Sequence, residues 1–177
     1  MMLNRIFLFL ISAFLKDRTR IIYTNGEKYL LRVYIKQPGK YLPGIFLHRF
    51  YSSDKDEHLH NHPWKKAWSL ILTGKYLEER LSHKKSNTNK VVELSLYGPL
   101  RVNYIDDEIF HRIRLIHPED KKPVWTLFFS KERHQTWGFW DSRRSKFIPW
   151  NEYVSSHDGN YVTDYYGNVV RLVESEE

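Results

Sequence analysis

The chain has 177 residues, a length that suits one domain with a core of its own. It contains no cysteine, which excludes disulfides, thiolate metal ligands and a cysteine nucleophile. The formal charge is +7, which favours acidic small molecules or anionic surfaces as partners. The basic residues are scattered in pairs such as Lys65-Lys66, Lys84-Lys85, Lys121-Lys122 and Arg143-Arg144, so nucleic acid is not an expected partner.

Residues 1–20 are expected to form a short helix around the apolar run Ile6 to Leu15. That run is too short to cross a bilayer, which takes about 17–25 residues. It also lacks the small-residue cleavage site of a signal peptide, because Lys16-Asp17-Arg18 follows. It is expected to pack on the domain or in a dimer contact, with attachment to a membrane surface through residues 6–15 as the alternative.

From residue 21 to 155 the pattern is that of strands. Lys28 to Ile35 and Gly44 to Phe50 are rich in aromatic and branched residues, with turns at Asn25-Gly26 and Pro38-Gly39. A histidine-bearing strand follows, then Ala67 to Thr73, a turn at Gly74, and Tyr76 to Arg80. After a polar loop at 82–90 come Val91 to Leu96, Leu100 to Ile105, Phe110 to Ile116 and Val124 to Ser130. These short, regularly spaced strands predict an all-β sandwich or barrel. Gly138 to Trp150 is read as an aromatic cover on the outside of the β core. Residues 156–177 are read as a hairpin around Gly167 with an acidic tail.

The most informative stretch is Glu57-His58-Leu59-His60-Asn61-His62-Pro63-Trp64. Alternate side chains of a strand share a face, so His58, His60 and His62 are expected to line one side. Three imidazoles on one face are costly to bury unless something coordinates or hydrogen-bonds them. Pro63 has no N–H and should end the strand, opening the site to substrate.

A β-rich chain with histidines in this spacing resembles the cupin superfamily. In its first motif an H-x-H is followed by three or four residues, Glu, six residues and Gly. Here His60-x-His62 is followed after four residues by Ala67, and after six more by Gly74. The second motif's histidine matches His111 in Phe110-His111-Arg112-Ile113. The phrases Leu47-His48-Arg49-Phe50, His60-Asn61-His62-Pro63-Trp64, Ser69-Leu70-Ile71-Leu72 and Trp137-Gly138-Phe139-Trp140 are similar to those of an uncharacterised cupin group of bacteria and phages.

The resemblance implies a single double-stranded β-helix, a jelly-roll barrel, with a pocket at its mouth. His60, His62 and His111 are the implied ligands of one divalent metal ion, iron(II) favoured over zinc, manganese or nickel, and Ala67 replaces the usual carboxylate. Glu78 and Glu79 have opposite parity, so one at most faces inward, and Glu78 ranks first. Arg112 and Arg114 should face away from the metal. A three-histidine cupin is the arrangement of the thiol dioxygenases, so a dioxygenase-like oxidoreductase acting on a small polar or anionic molecule is the leading expectation. A non-redox isomerase or lyase and a non-enzymatic binding module are the alternatives. Tyr76 is a candidate for proton movement, and so is His58, which could equally be a rim histidine bonded to water. Arg49 and Arg101 are candidates to hold an acidic group, Trp64 to wall the pocket and Tyr104 to supply a hydroxyl. His48 reads as a satisfied strand residue, His83 and His117 as loop residues, and His134 and His157 have no telling spacing. A homodimer in the cytoplasm is the default that the resemblance and the lack of cysteine suggest.

Overall fold

A computed structural model describes residues 18–24, 27–38, 42–81, 92–116, 123–157, 161–163 and 169–171. The expected N-terminal helix, the polar loop with His83, the turn with His117, the bend at Gly167 and the acidic tail lie outside them.

Fourteen strands and one helix follow one another along the described chain. They are β1 (Thr19–Thr24), β2 (Glu27–Lys36), β3 (Gly44–Phe50), β4 (Leu59–His60), β5 (Lys66–Thr73), β6 (Tyr76–Leu81) and β7 (Val92–Tyr97). Then come β8 (Val102–Asp106), β9 (His111–Leu115), β10 (Val124–Ser130), β11 (Gly138–Asp141), β12 (Lys146–Pro149), the helix α1 (Trp150–His157), β13 (Tyr161–Thr163) and β14 (Val169–Arg171). One sheet has the order β1-β2-β3-β10-β5-β8 and the other β12-β11-β4-β9-β6-β7. From β3 to β10 the two quartets β3-β10-β5-β8 and β4-β9-β6-β7 interleave, which is the strand order of an eight-stranded jelly roll. Among the described residues, the last two strands, β13 and β14, pair only with each other.

Alternation explains the layers. In β3 and β10 every second residue is buried, placing Phe46, His48 and Phe50 opposite Phe128, Thr126 and Val124. Leu30, Phe50, Ile71, Tyr76, Ile113 and Val124 form one apolar cluster of the interior. Tyr34, Phe46, Ala67, Ile105 and Phe128 form another, with Trp64 against it. Across β2, β3 and β10 the row Leu30–Phe50–Val124 belongs to the first and Tyr34–Phe46–Phe128 to the second. Between them runs Arg32–His48–Thr126, a polar row in the middle of the sheet.

Three elements differ from expectation. Residue 19 opens β1, which pairs antiparallel with β2, so the helical segment cannot extend to residue 20. The histidine stretch is regular strand only at Leu59–His60. Residues Gly138 to Pro149 are not an outer cover but a hairpin added to the second sheet. The helix that follows them was not anticipated, because eight residues with few aliphatics (WNEYVSSH) carry almost no helical periodicity. Among the described residues no helix is long and apolar enough to cross a membrane.

Candidate metal centre

His60 and His111 face each other as register partners on β4 and β9. His62 lies two residues past the end of β4, just before Pro63, and other contacts hold it in place. The buried Asn61 exchanges two hydrogen bonds with Gly138: its own N–H donates to Gly138 O (3.0 Å), and its Oδ1 accepts from Gly138 N–H (2.8 Å). The Gln135 amide donates to His62 O (3.1 Å) and to Asp107 O (2.6 Å), while His134 N–H donates to Pro63 O (2.8 Å). Hydrogen bonds to Asn61 N–H, His62 O and Pro63 O thus anchor the irregular backbone around His62.

The three rings meet with centroids 5.0–5.1 Å apart. One nitrogen from each lies within 4.8 Å of the others, and His62 Nε2 is 2.8 Å from His111 Nε2. Adjacent imidazole ligands bound at 2.0–2.1 Å to one ion stand roughly 3 Å apart, so shifts of about 1 Å would bring all three to one centre. The donor set fits a divalent metal ion.

Glu78 fixes the third ring. Its buried carboxylate accepts from His111 Nδ1 (2.5 Å), from Asn103 Nδ2 (2.8 Å) and from Arg80 through Nε (3.1 Å) and a terminal nitrogen (2.9 Å). Burial alone would raise its pKa, but the hydrogen bond and charge of His111, then Arg80 and Asn103, outweigh that and hold it at about 2. An ionised carboxylate only accepts, so Nδ1 of His111 carries the proton and a neutral ring keeps its lone pair on Nε2. Glu78 therefore faces inward, as its parity requires, and orients a ligand instead of joining the three nitrogens. Burial, with the neighbouring His111, lowers His60 to about 4 and His62 further. Both rings are neutral at pH 7, which leaves their lone pairs free to bind a cation.

No protein-family model and no curated protein matches the chain. Among solved structures it is similar to hydroxypropylphosphonic acid epoxidase from S. wedmorenis, at 8% identity over 64% of this chain and 56% of that one, TM-score 0.46. It is similar to a mutant of Bacillus subtilis oxalate decarboxylase OxdC, at 16% identity over 81% and 35%, TM-score 0.48. A third is the capsular polysaccharide assembling protein CapF from Staphylococcus aureus, at 14% over 73% and 33%, TM-score 0.45. The chain thus spans about a third to just over half of those proteins' lengths. The architecture, read from the strand order, is an eight-stranded jelly roll.

The remaining sequence candidates fall in several places. Trp64 stacks on His62 (5.4 Å, 25°) and packs on Phe128, so it walls the centre. His58 is outside the three-ring cluster, its ring against Tyr153 of α1 at 5.7 Å, because alternation does not extend back past Leu59. Tyr76 is fully buried beside the centre. Its hydroxyl accepts from Asn103 Nδ2 (3.1 Å), one residue away from Glu78, and burial pushes its pKa well up. Arg49 has the opposite parity to His48 and lies over Tyr51 and Trp125, at 4.8 and 5.8 Å, on the outer face of its sheet. Arg101 is exposed at the end of β8 away from the Asp106-Asp107 corner that pins His62. Tyr104 also faces outward, against Trp68 (5.9 Å).

Arg112 and Arg114 do turn away from the centre, and both grip Glu79 on the outer face. Arg112 also donates to the carbonyls of Asp56 (3.1 Å) and Glu57 (3.3 Å), tethering the segment that leads into β4. Sequence reading missed Asn61, Arg80, Asn103 and Gln135. For Arg80 the signal was present, since it continues the inward parity of Tyr76 and Glu78. Asn61 and Gln135 act from irregular backbone, where no periodicity marks them.

Proposed function

We propose that the protein is a metal-dependent cupin in which His60, His62 and His111 hold one divalent ion, iron(II) favoured, and that it is a dioxygenase-like oxidoreductase acting on a small polar or anionic molecule. The observation that carries the reading is the convergence of three ring nitrogens, one of them oriented by the buried carboxylate of Glu78. Iron held by these three histidines would supply the capacity to bring oxygen and substrate together. The chain supplies the rest. An imidazole nitrogen brings no negative charge to a metal, so an ion held by these three rings would keep its positive charge and favour an anionic or chelating ligand. Trp64 and Phe128 pack against the ring of His62. The Tyr76 hydroxyl, which shares the Asn103 amide with Glu78, is the group assigned to moving a proton. The likeness to the bacterial and phage cupin group, carried by the His60-to-Trp64 and Trp137-to-Trp140 phrases, is part of this proposal.

The test is to purify the protein without a histidine tag and measure its metal by mass spectrometry, beside a His60→Ala/His111→Ala double mutant. About one iron per chain, lost in the mutant, with oxygen uptake on presentation of a thiol or other small chelating acid, is the expected result. Zinc or manganese with activity that persists without oxygen would replace the redox reading by Lewis-acid chemistry. No metal in either protein would overturn the proposal.

A further inference from the structure

The middle row of the first sheet has no role in holding the metal, yet it is polar and buried. Arg32, His48 and Thr126 are register neighbours on β2, β3 and β10, with 9%, 4% and 0% of their surface exposed. They sit between two apolar clusters, where aliphatic residues would pack at less cost. Arg32 Nε donates to His48 Nε2 (3.0 Å), so in the neutral His48 ring the proton lies on Nδ1 and that nitrogen is a second donor. The His48 ring is held by stacking on Phe46 (5.9 Å, 18°) and contact with Phe128 (5.1 Å). Beside them Oγ1 of Thr126 is wholly buried and has no hydrogen-bond partner, an uncommon state for a hydroxyl. Glu78 cannot serve this row, because its oxygens are taken by His111, Arg80 and Asn103.

One aromatic ring links the row to the centre. Phe128 contacts His48 on one side and His62 (6.5 Å) on the other.

We propose that Arg32, His48 and Thr126 form an oxyanion subsite inside the barrel, which takes the carboxylate or phosphate-type group of a small acidic substrate whose other end reaches His60, His62 and His111. The inference rests on the metal-centre reading and narrows its substrate class. It also moves the acid-binding role from Arg49 and Arg101, which lie on the outer surface, to an arginine inside the barrel. A guanidinium that stays charged, an N–H and a hydroxyl suit an oxyanion, and each such charge-assisted bond is stronger than a neutral one.

The experiment uses the metal-free full chain, titrated by calorimetry with inorganic phosphate and, separately, with malonate, at constant ionic strength. Saturable binding of either ion is expected, and whichever binds tighter identifies the acidic group. Arg32→Met should weaken it at least tenfold and Thr126→Val about three- to tenfold, while Arg49→Gln should leave it unchanged. Thr126→Val removes only an idle hydroxyl and should fold normally, so it decides the matter if Arg32→Met does not give a cooperative melt. His111→Ala should lose metal but keep phosphate or malonate binding, which separates failure of the metal reading from failure of this one. No saturable binding to the wild type, or unchanged affinity in folded variants of this row, overturns the subsite.

Discussion

At the scale of single residues the site depends on a carboxylate that touches no ligand position. Glu78 receives one imidazole, one amide and one guanidinium, and the His111 contact decides which ring nitrogen faces the centre. Glu78→Gln offers an amide N–H to groups that are themselves donors, so His111 loses its fixed orientation. Such a change should lower metal affinity about 10–100-fold, read by competition with a chelator, without removing any ligand. Glu78→Ala leaves Arg80 and Asn103 facing a gap, and should cost about 3–5 kcal/mol in a urea melt. Parity alone distinguished Glu78 from Glu79. It could not say that the carboxylate would hold a histidine, because that depends on Asn103 and Arg80 filling its other lone pairs from two different strands.

At the scale of elements, the tight link between β5 and β6 aligns the Glu78 strand. Gly74 has φ +72°, and a Cβ there would stand 2.8 Å from Val124 Cγ2 and 3.0 Å from Pro123 O. Gly74→Ala therefore meets both a left-handed backbone, about 1–2 kcal/mol against an L-residue, and a crowded neighbour. We expect a loss of about 2 kcal/mol or more by denaturant unfolding. Gly98→Ala is the matched control: its nearest neighbour would be Lys75 Cγ at 3.6 Å, and stability should stay level or rise by up to about 1 kcal/mol. Most strands were legible from alternation, as in Gly44 to Phe50, and Gly74 from its place between two apolar runs. The hairpin of β11 and β12 was not, because the consecutive aromatics and the Asp141-to-Ser145 turn break the alternation. Arg32 escaped notice because one arginine in a run of apolar residues looks like an outward-facing residue until the register is known.

At the scale of the molecule, the two sheets bring together groups that no local segment could. His60 and His111 come from strands 51 positions apart, and a shared ion would tie β4 to β9 in the middle of the second sheet. Any ion bound only by the folded chain raises stability by about 2.7 kcal/mol at a hundredfold excess over its dissociation constant. For a chain of this length that is roughly 5–10 °C in melting temperature. Stripping the metal with a chelator should lower the melting temperature by that amount in the wild type. In His60→Ala/His111→Ala the chelator should change nothing, as scanning calorimetry would show.

The placing of β10 between β3 and β5 also bears on how the chain is made. Val124 pairs with Phe50, and Ser130 with both Gly44 and Ala67, so the central strand of the first sheet is nearly the last of the jelly roll to leave the ribosome. Until residue 130 has emerged, β3 and β5 have open edges towards each other. Neither the Arg32–His48–Thr126 row nor the wall of the histidine centre can be complete. Closure over such sequence distances is slow, on the order of milliseconds to seconds for β-sandwiches and barrels. Nascent chains spend that interval with two largely apolar strand edges exposed, so the step that completes the first sheet is also the one that ends their exposure to aggregation.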